Sequence, residues 1–319
     1  MTDAAYVAME NSTIVRSSRE PWWLPLARTA NRILSALAPA RAARLAEHLF
    51  LTPPRTRRPA AEIELLAGAR ARPMRVGGRR IETWAWGEGP SVLLLHGWGG
   101  RGAQLGALVG PLVARGFTVV TFDAPGHGAS DPGPVTIAEM TAAIRAVAAS
   151  HGRTAGLIAH SVGALAASRA LHEGLEVGAA VYIGPAAELT TPAARFTEAF
   201  GFSRDVRERM ARRIEARLGQ PWSTFTMTAL APALPTPLLV IHDRGDAEVP
   251  WQHGVTTTRA WRGAELLLTD GLGHRRILRA PDVVSAAVAF VAARAAGRRQ
   301  APPADADLVE SLPALTCEP

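Results

Sequence analysis

A serine, an aspartate and a histidine, each just beyond an apolar run, are of the types that can serve as nucleophile, acid and base. Ser161 lies in Ala159-His160-Ser161-Val162-Gly163, between an apolar run, Ala155 to Ala159, and a helical stretch of small residues, Ala164, Ala166 and Ala167. A serine on such a strand-to-helix turn projects as an exposed nucleophile, and small residues are needed two positions before and after it because the backbones crowd there. Ala159 fills the first of these positions in place of the more usual glycine. His274 follows Gly271-Leu272-Gly273, just beyond the apolar run Glu265 to Leu268. The glycines let the chain bend toward the serine, and an imidazole near its ordinary pKa suits a general base at neutral pH. The orienting acid comes from His242-Asp243-Arg244-Gly245-Asp246-Ala247-Glu248-Val249-Pro250. Asp246, beyond Gly245 in the loop proper, is the choice for that role. Asp243 is the second choice and reads better as a brace for the loop, while Glu248 reads as facing solvent.

The tetrahedral intermediate of acyl transfer needs two N–H donors for its oxyanion. His96-Gly97-Trp98-Gly99-Gly100 is a glycine-rich bend after the apolar run Ser91 to Leu95 and supplies one candidate, the Trp98 amide. The other is the Val162 amide, directly after the serine. A further loop, Phe122 to Ser130, contains Asp123 and His127. These resemble an acid and a base, but they read as structural, because residues of this kind in tight loops satisfy local backbone groups.

What must position these residues is a series of short apolar runs, Ser91 to Leu95, Thr118 to Phe122, Ala155 to Ala159, Ala179 to Ile183, Pro237 to Ile241 and Glu265 to Leu268. Helical stretches separate most of them, including Gln104 to Arg115, Ile137 to Ser150 and Val162 to Leu171. Apolar strands alternating with helices indicate an α/β chain with a mainly parallel sheet covered on both faces. Arg75 to Trp86 reads as a hairpin turning at Gly77-Gly78. Serine, acid and histidine then occur in that order, each after a strand.

Outside this frame, residues 1–20 are patternless and read as loose. Trp22 to Phe50 reads as helix interrupted at Pro39, with a second helix from Arg41 to Leu49. Leu26, Ala30, Ile33, Leu34 and Leu37 form an apolar stripe along it. Membrane contact is one reading of that stripe; packing on the main domain or over the site is preferred, because the stripe is Ala-rich. About fifty residues between Ile183 and Pro237 lack a strand and read as an inserted cap. Six of its arginines, at 204, 207, 209, 212, 213 and 217, read as a solvated helix face rather than an anion trap, since Asp205, Glu208 and Glu215 lie among them. A final helix runs from about Pro281 to Ala296, and a Pro-rich tail follows Gln300.

Composition removes several alternatives. All 35 Lys+Arg residues are arginine, so lysine-dependent chemistry such as Schiff-base or P-loop catalysis is excluded. The single cysteine, Cys317, excludes an intrachain disulfide and paired-cysteine zinc sites. A formal charge of +7 with interspersed acids argues against a nucleic-acid role. With neither a signal-peptide pattern nor a spanning apolar stretch, the expected location is cytoplasmic.

Taken together, His96-Gly97-Trp98, Asp123-Ala124-Pro125-Gly126-His127-Gly128, Ser161 with its flanks, Asp246 and Gly273-His274 resemble the α/β-hydrolase superfamily, over roughly residues 60 to 298. The resemblance implies an α/β-hydrolase fold, an eight-stranded, mostly parallel sheet with a small helical cap after the sixth strand. It favours Asp246 over Asp243, since the family places its acid shortly before a Val-Pro pair like Val249-Pro250. The expected organisation is a tail and helical extension over 1–59, the hydrolase domain over 60–298 with its cap at about 186–233, and a tail over 299–319. The expected activity is that of a serine hydrolase of carboxylesterase type, with Ser161, Asp246 and His274 catalytic, Trp98 and Val162 as oxyanion donors, a small-molecule acyl substrate, and neither cofactor nor metal. Acyl transfer by the same residues, or a non-catalytic binding role, are the alternatives.

Overall fold

The computed structural model of the protein describes residues 22–300. The loose ends expected over 1–20 and after Gln300, Cys317 included, lie outside the described residues.

The six apolar runs become strands, and four others precede them. These are β1 (Arg70–Ala71), β2 (Met74–Val76), β3 (Arg79–Ile81), β4 (Thr83–Trp86), β5 (Ser91–Leu95), β6 (Thr118–Phe122), β7 (Thr154–His160), β8 (Ala180–Ile183), β9 (Leu238–Asp243) and β10 (Glu265–Thr269). Eight of them form one sheet in the order β1-β4-β6-β5-β7-β8-β9-β10, while β2 and β3 pair apart. From β6 through β10 every pairing is parallel; β4 runs antiparallel to both β1 and β6. The α/β-hydrolase fold expected from the sequence is thus present.

Side chains alternate across the sheet, so each strand feeds two cores. On one face Leu93, Leu157, Ala159, Tyr182 and Val240 pack with helices Ile137–Ser150 and Val162–His172 through Ile144, Val147 and Leu165. On the other, Val92, Leu94, Ile158, Val181 and Ile241 meet helix Pro281–Gln300 through Val284, Val288 and Val291. Strands buried on both faces must be apolar at nearly every position, which is how β5, β7 and β9 read.

Four details depart from expectation. The hairpin at Gly77-Gly78 ends at Ile81; residues 83–86 leave it and join the main sheet beside β6. The segment expected as helix from Gln104 begins instead as a tight 3-10 turn, Gly102–Leu108, followed by helix Val109–Val113. The Gly102 approach explains why: a Cβ there would lie 2.5 Å from Thr121 Oγ1, so the chain is pressed against β6. Pro39 does not merely interrupt the N-terminal helix; it starts the second one, Pro39–Leu51, where a missing N–H costs nothing. Finally, that N-terminal pair packs, but helix Leu24–Leu37 buries Asn31 and Ser35 and leaves Leu26, Ile33 and Leu37 exposed. Amphipathic spacing reveals that a helix has an apolar face, not which face the rest of the protein takes.

Between β8 and β9 stand helices Thr190–Ala199, Arg204–Leu218 and Met227–Leu230. Ala42, Ala43 and Ala46 of helix Pro39–Leu51 are small enough to bring it against Val206, Met210 and Ile214, forming a third core with Phe202 and Trp222. The arginines of this region are mostly paired: Arg204 with Glu208, Arg207 with Glu198, Arg209 with Asp205, and both Arg213 and Arg217 with the buried Glu47.

Candidate active site

Ser161 sits where β7 gives way to helix Val162–His172. Its φ of 56° makes it the only non-glycine residue with positive φ among those described. For a serine that conformation costs about 1–3 kcal/mol and persists only where the surroundings enforce it. Here they do. The Ser161 amide donates to Ile183 O at 3.1 Å, and its carbonyl accepts from Ala164 and Ala186. A Cβ on Gly163 would stand 2.4 Å from His96 O, so only glycine fits two positions after the serine. Ala159, two positions before, is fully buried, and its methyl packs in the core beneath the turn.

The turn after β5 closes on the serine from above. A Cβ on Gly97 would fall 2.7 Å from Ser161 Cβ. The buried His96 holds this turn: Nδ1–H donates to Gly97 O at 2.8 Å, and Nε2 accepts from Ala124 N at 2.9 Å. With both nitrogens engaged as in a neutral ring, burial lowers its pKa to about 4. Trp98 and Val162 both line the same cavity as Ser161. Neither of their amides finds a protein acceptor among the described residues.

His274 lies in a short helix, Gly273–Arg276, rather than in an open loop. Its Nδ1–H donates to Asp246 Oδ2 at 2.6 Å. Asp246 Oδ1 accepts from the Glu248 and Val249 amides at 2.9 and 2.8 Å. Burial alone would raise the Asp246 pKa, but contacts with His242 and His274, together with the Val249 amide, hold it well below the carboxylate range. Asp243 is filled differently. Its two oxygens accept from the Gly245, Leu272 and Gly273 amides and the Thr269 hydroxyl, all between 2.8 and 3.0 Å. These bonds outweigh burial and keep it ionised below the ordinary range while tying the end of β9 to the turn that carries His274. Glu248 is exposed, and it pairs with Arg275 at 2.8 Å on the cavity rim.

The structure therefore gathers Ser161, His274, Trp98 and Val162 around one cavity and places Asp246 behind His274. Asp123 and His127 are used elsewhere. Asp123, fully buried, accepts from Gly102 N, Ala129 N and the Arg58 guanidinium at 2.7–2.8 Å. His127 Nδ1–H donates to Pro125 O.

Two histidines quoted in the motifs had been given no role. His160 packs against His274 with ring centroids 4.4 Å apart and ring planes tilted by 42°, and donates from Nε2 to His274 O at 2.9 Å. Burial lowers its pKa to about 3, so it stays neutral beside the other ring. His242 is fully buried, with Nε2 3.1 Å from Val249 O and 3.4 Å from Asp246 Oδ2. Strand-end position was the only sequence signal for either.

The cavity has a volume of about 880 Å³. Phe50, Leu51, Leu65, Met140, Leu189 and Leu278 give it an apolar wall. Part of that wall comes from residues 50–59, which are stitched across the site. Val135 N donates to Leu51 O at 2.7 Å, Arg101 to Thr56 Oγ1 at 2.7 Å, Arg55 to Ser130 O at 3.2 Å, and Arg58 to Asp123. Among the described residues no cluster of His, Cys, Asp or Glu has the arrangement of a metal site.

This sheet, with a strained serine directly after β7 and a His–Asp pair on the turns after β9 and β10, defines a hydrolase scaffold. Residues 92–287 match the profile of the Alpha/beta hydrolase family, and the chain belongs to that family. Comparison with curated proteins gave no match. Among solved structures it resembles a Pyrococcus furiosus esterase (20% identity, 76% of this chain and 97% of that one, TM-score 0.58). A putative lipase from Acinetobacter baumannii is similar at 15% identity, covering 74% of this chain and 95% of that one, with a TM-score of 0.58. The Butyrivibrio proteoclasticus protein Est1E, solved with ferulic acid bound, is similar at 19% identity, 71% and 100% coverage and a TM-score of 0.56. At these identities the structural likeness speaks for the fold; family and neighbours together support hydrolase activity as the class.

Proposed function

We propose that the protein is a serine hydrolase that cleaves a carboxylic ester or related acyl bond through an acyl-enzyme. The observation that carries this reading is the 2.6 Å bond from His274 Nδ1–H to a buried, ionised Asp246, on the same cavity as the strained Ser161. A neutral imidazole whose Nδ1 proton is committed to a carboxylate has only Nε2 left as a base. In the proposed reaction Nε2 removes the Ser161 proton as Oγ attacks the acyl carbon. Asp246 stabilises the imidazolium that forms, and the Trp98 and Val162 amides receive the oxyanion. The imidazolium then protonates the departing alcohol, and water, activated by the same nitrogen, releases the acid. The apolar wall suits an acyl or alkyl chain, and the esterase and lipase among the structural neighbours fit the same chemistry.

Labelling with a fluorophosphonate tests it directly. One adduct on Ser161 is expected, lost in Ser161→Ala together with turnover of p-nitrophenyl esters. Labelling that survives that substitution would overturn the assignment. Product analysis with an added alcohol acceptor separates hydrolysis from acyl transfer.

A further inference from the structure

Helix Leu24–Leu37 is attached to the protein by its polar side. Asn31 Nδ2 donates to Phe200 O at 2.9 Å, Arg28 Nε to Ala199 O at 2.7 Å, and Ser203 N to Ser35 Oγ at 3.4 Å. The backbones touch at this seam: a Cβ on Gly201 would lie 2.7 Å from Arg28 O. The helix cannot roll, so its other face points permanently outward.

That face is apolar. Trp22, Leu26, Ile33 and Leu37 are 82, 68, 56 and 80% exposed, and Trp23 beside them is 44% exposed. At about 100° per residue the three helical positions, Leu26, Ile33 and Leu37, fall within an arc of roughly 40°. Nine large hydrophobic side chains are exposed among the described residues; five lie in this one stretch and a sixth, Leu45, on the next helix. Scattered exposed apolar residues need no partner, but a contiguous stripe does.

Charge selects the partner. From Trp22 to Ala46 there is no acidic residue, and, with Arg28 committed to the seam, Arg32, Arg41 and Arg44 supply three positive charges. Arg32, Arg41 and Arg44 form no ion pair among the described residues, and Arg44 borders a groove of about 610 Å³ lined also by Arg212 and by Arg209, Arg213 and Arg217, whose charges Asp205 and Glu47 partner. A second copy meeting this face would bring like rows of arginine together. An anionic lipid surface would instead answer both features, taking the apolar stripe at the acyl boundary and the guanidinium groups at the phosphates. Tryptophan at the end of such a helix is at home in that boundary. At 14 residues the helix is about 21 Å long, short of the roughly 30 Å hydrocarbon core. No helix among the described residues is long and apolar enough to cross a membrane.

We propose that Leu24–Leu37 is an interfacial anchor that lies along an anionic bilayer surface, inserting Trp22, Trp23, Leu26, Ile33 and Leu37. This inference does not depend on the hydrolase reading. Full-length protein is sedimented with vesicles of phosphatidylcholine alone or of equimolar phosphatidylcholine and phosphatidylglycerol. Wild type is expected to partition at least about tenfold better onto the anionic vesicles, with added salt reducing the difference. The double variant L26E/I33E should lose about tenfold or more of that binding. Both positions face solvent, so an unchanged thermal unfolding curve by circular dichroism is expected; the milder pair I33Q/L37Q serves if it shifts. Wild type left in the supernatant of the anionic vesicles, or binding that survives in the variants, overturns the proposal. So does a lipid-free dimer that light scattering finds in wild type and not in the variants, which would give the face to a second copy.

Discussion

Two loops of this protein each hold a buried aspartate and a histidine, and only in one do the two side chains bond to each other. In the loop after β6, the Asp123 oxygens are filled by two backbone amides and a guanidinium, and His127 turns to a carbonyl. In the loop after β9, Asp246 gives one oxygen to backbone amides and reserves the other for the His274 ring. Asp243, three residues earlier, repeats the first pattern, with every bond going to loop amides or a hydroxyl. Burial, ionisation and a nearby histidine are shared features. What separates a brace from a candidate catalytic acid is an oxygen facing an imidazole that itself faces a cavity.

The sharpest break of this comparison is in turnover. Asp246→Asn is expected to lower kcat on a p-nitrophenyl ester by about 10⁴-fold, because the amide fixes the wrong tautomer of His274. Asp123→Asn and Asp243→Asn should leave the folded enzyme within about tenfold of wild type. Equal losses in all three would erase the distinction.

Stability should run the other way. Asp123→Asn leaves the Arg58 guanidinium without its charge partner and disturbs two buried amides, so urea unfolding should register a loss of about 3 kcal/mol. A midpoint unchanged from wild type would mean that the loop does not depend on Asp123.

A third measurement uses pH. His96, His127 and His160 are buried with pKa values lowered by desolvation to about 4, 3 and 3. Each binds a proton more readily when unfolded, so the stability they lend is complete above about pH 6.5 and drains away as pH falls toward the folded values. The slope is at most about 1.4 kcal/mol per pH unit for each ring in that window. His127→Gln, in the brace loop, should flatten the fall in urea midpoint between pH 6 and pH 4.5 by up to one ring's share. An identical slope in wild type and variant counts against a neutral His127.

The smallest contrast lies in the insertion. Glu47 is buried and receives both Arg213 and Arg217, so Glu47→Gln should cost about 1–3 kcal/mol. Arg212 has no ion pair among the described residues, and Arg212→Ala should stay within about 0.5 kcal/mol of wild type. A large loss at Arg212 would point to a contact that the ion-pair pattern misses.

Much of the sheet was legible because a strand buried on both faces must be apolar at nearly every position, as β5, β7 and β9 are. Four-residue β4 and two-residue β1 carry too few positions for a period to register, which is why residues 83–86 read as the arm of a hairpin. The turn at Ser161 was legible from small residues around it; the helix under His274 was not, since four residues leave no pattern. His160 and His242 escaped notice because their work is done by neighbours far along the chain, His274 and Val249 among them. The rotation of the N-terminal helix was hidden for another reason. Asn31 and Ser35 are ordinary surface types, and only the Phe200 carbonyl and the Ser203 amide turn them into an attachment.

The stretch from Phe50 to Pro59 makes the region before the sheet inseparable from the chemistry behind it. One of its arginines neutralises Asp123, its Thr56 receives Arg101, and Phe50 and Leu51 enclose the cavity. Any chimera that exchanges the front helices for those of a relative must therefore match residues 123 and 101, or the recipient inherits an uncompensated carboxylate and a breached chamber. Specificity and architecture are in this way inherited as one unit.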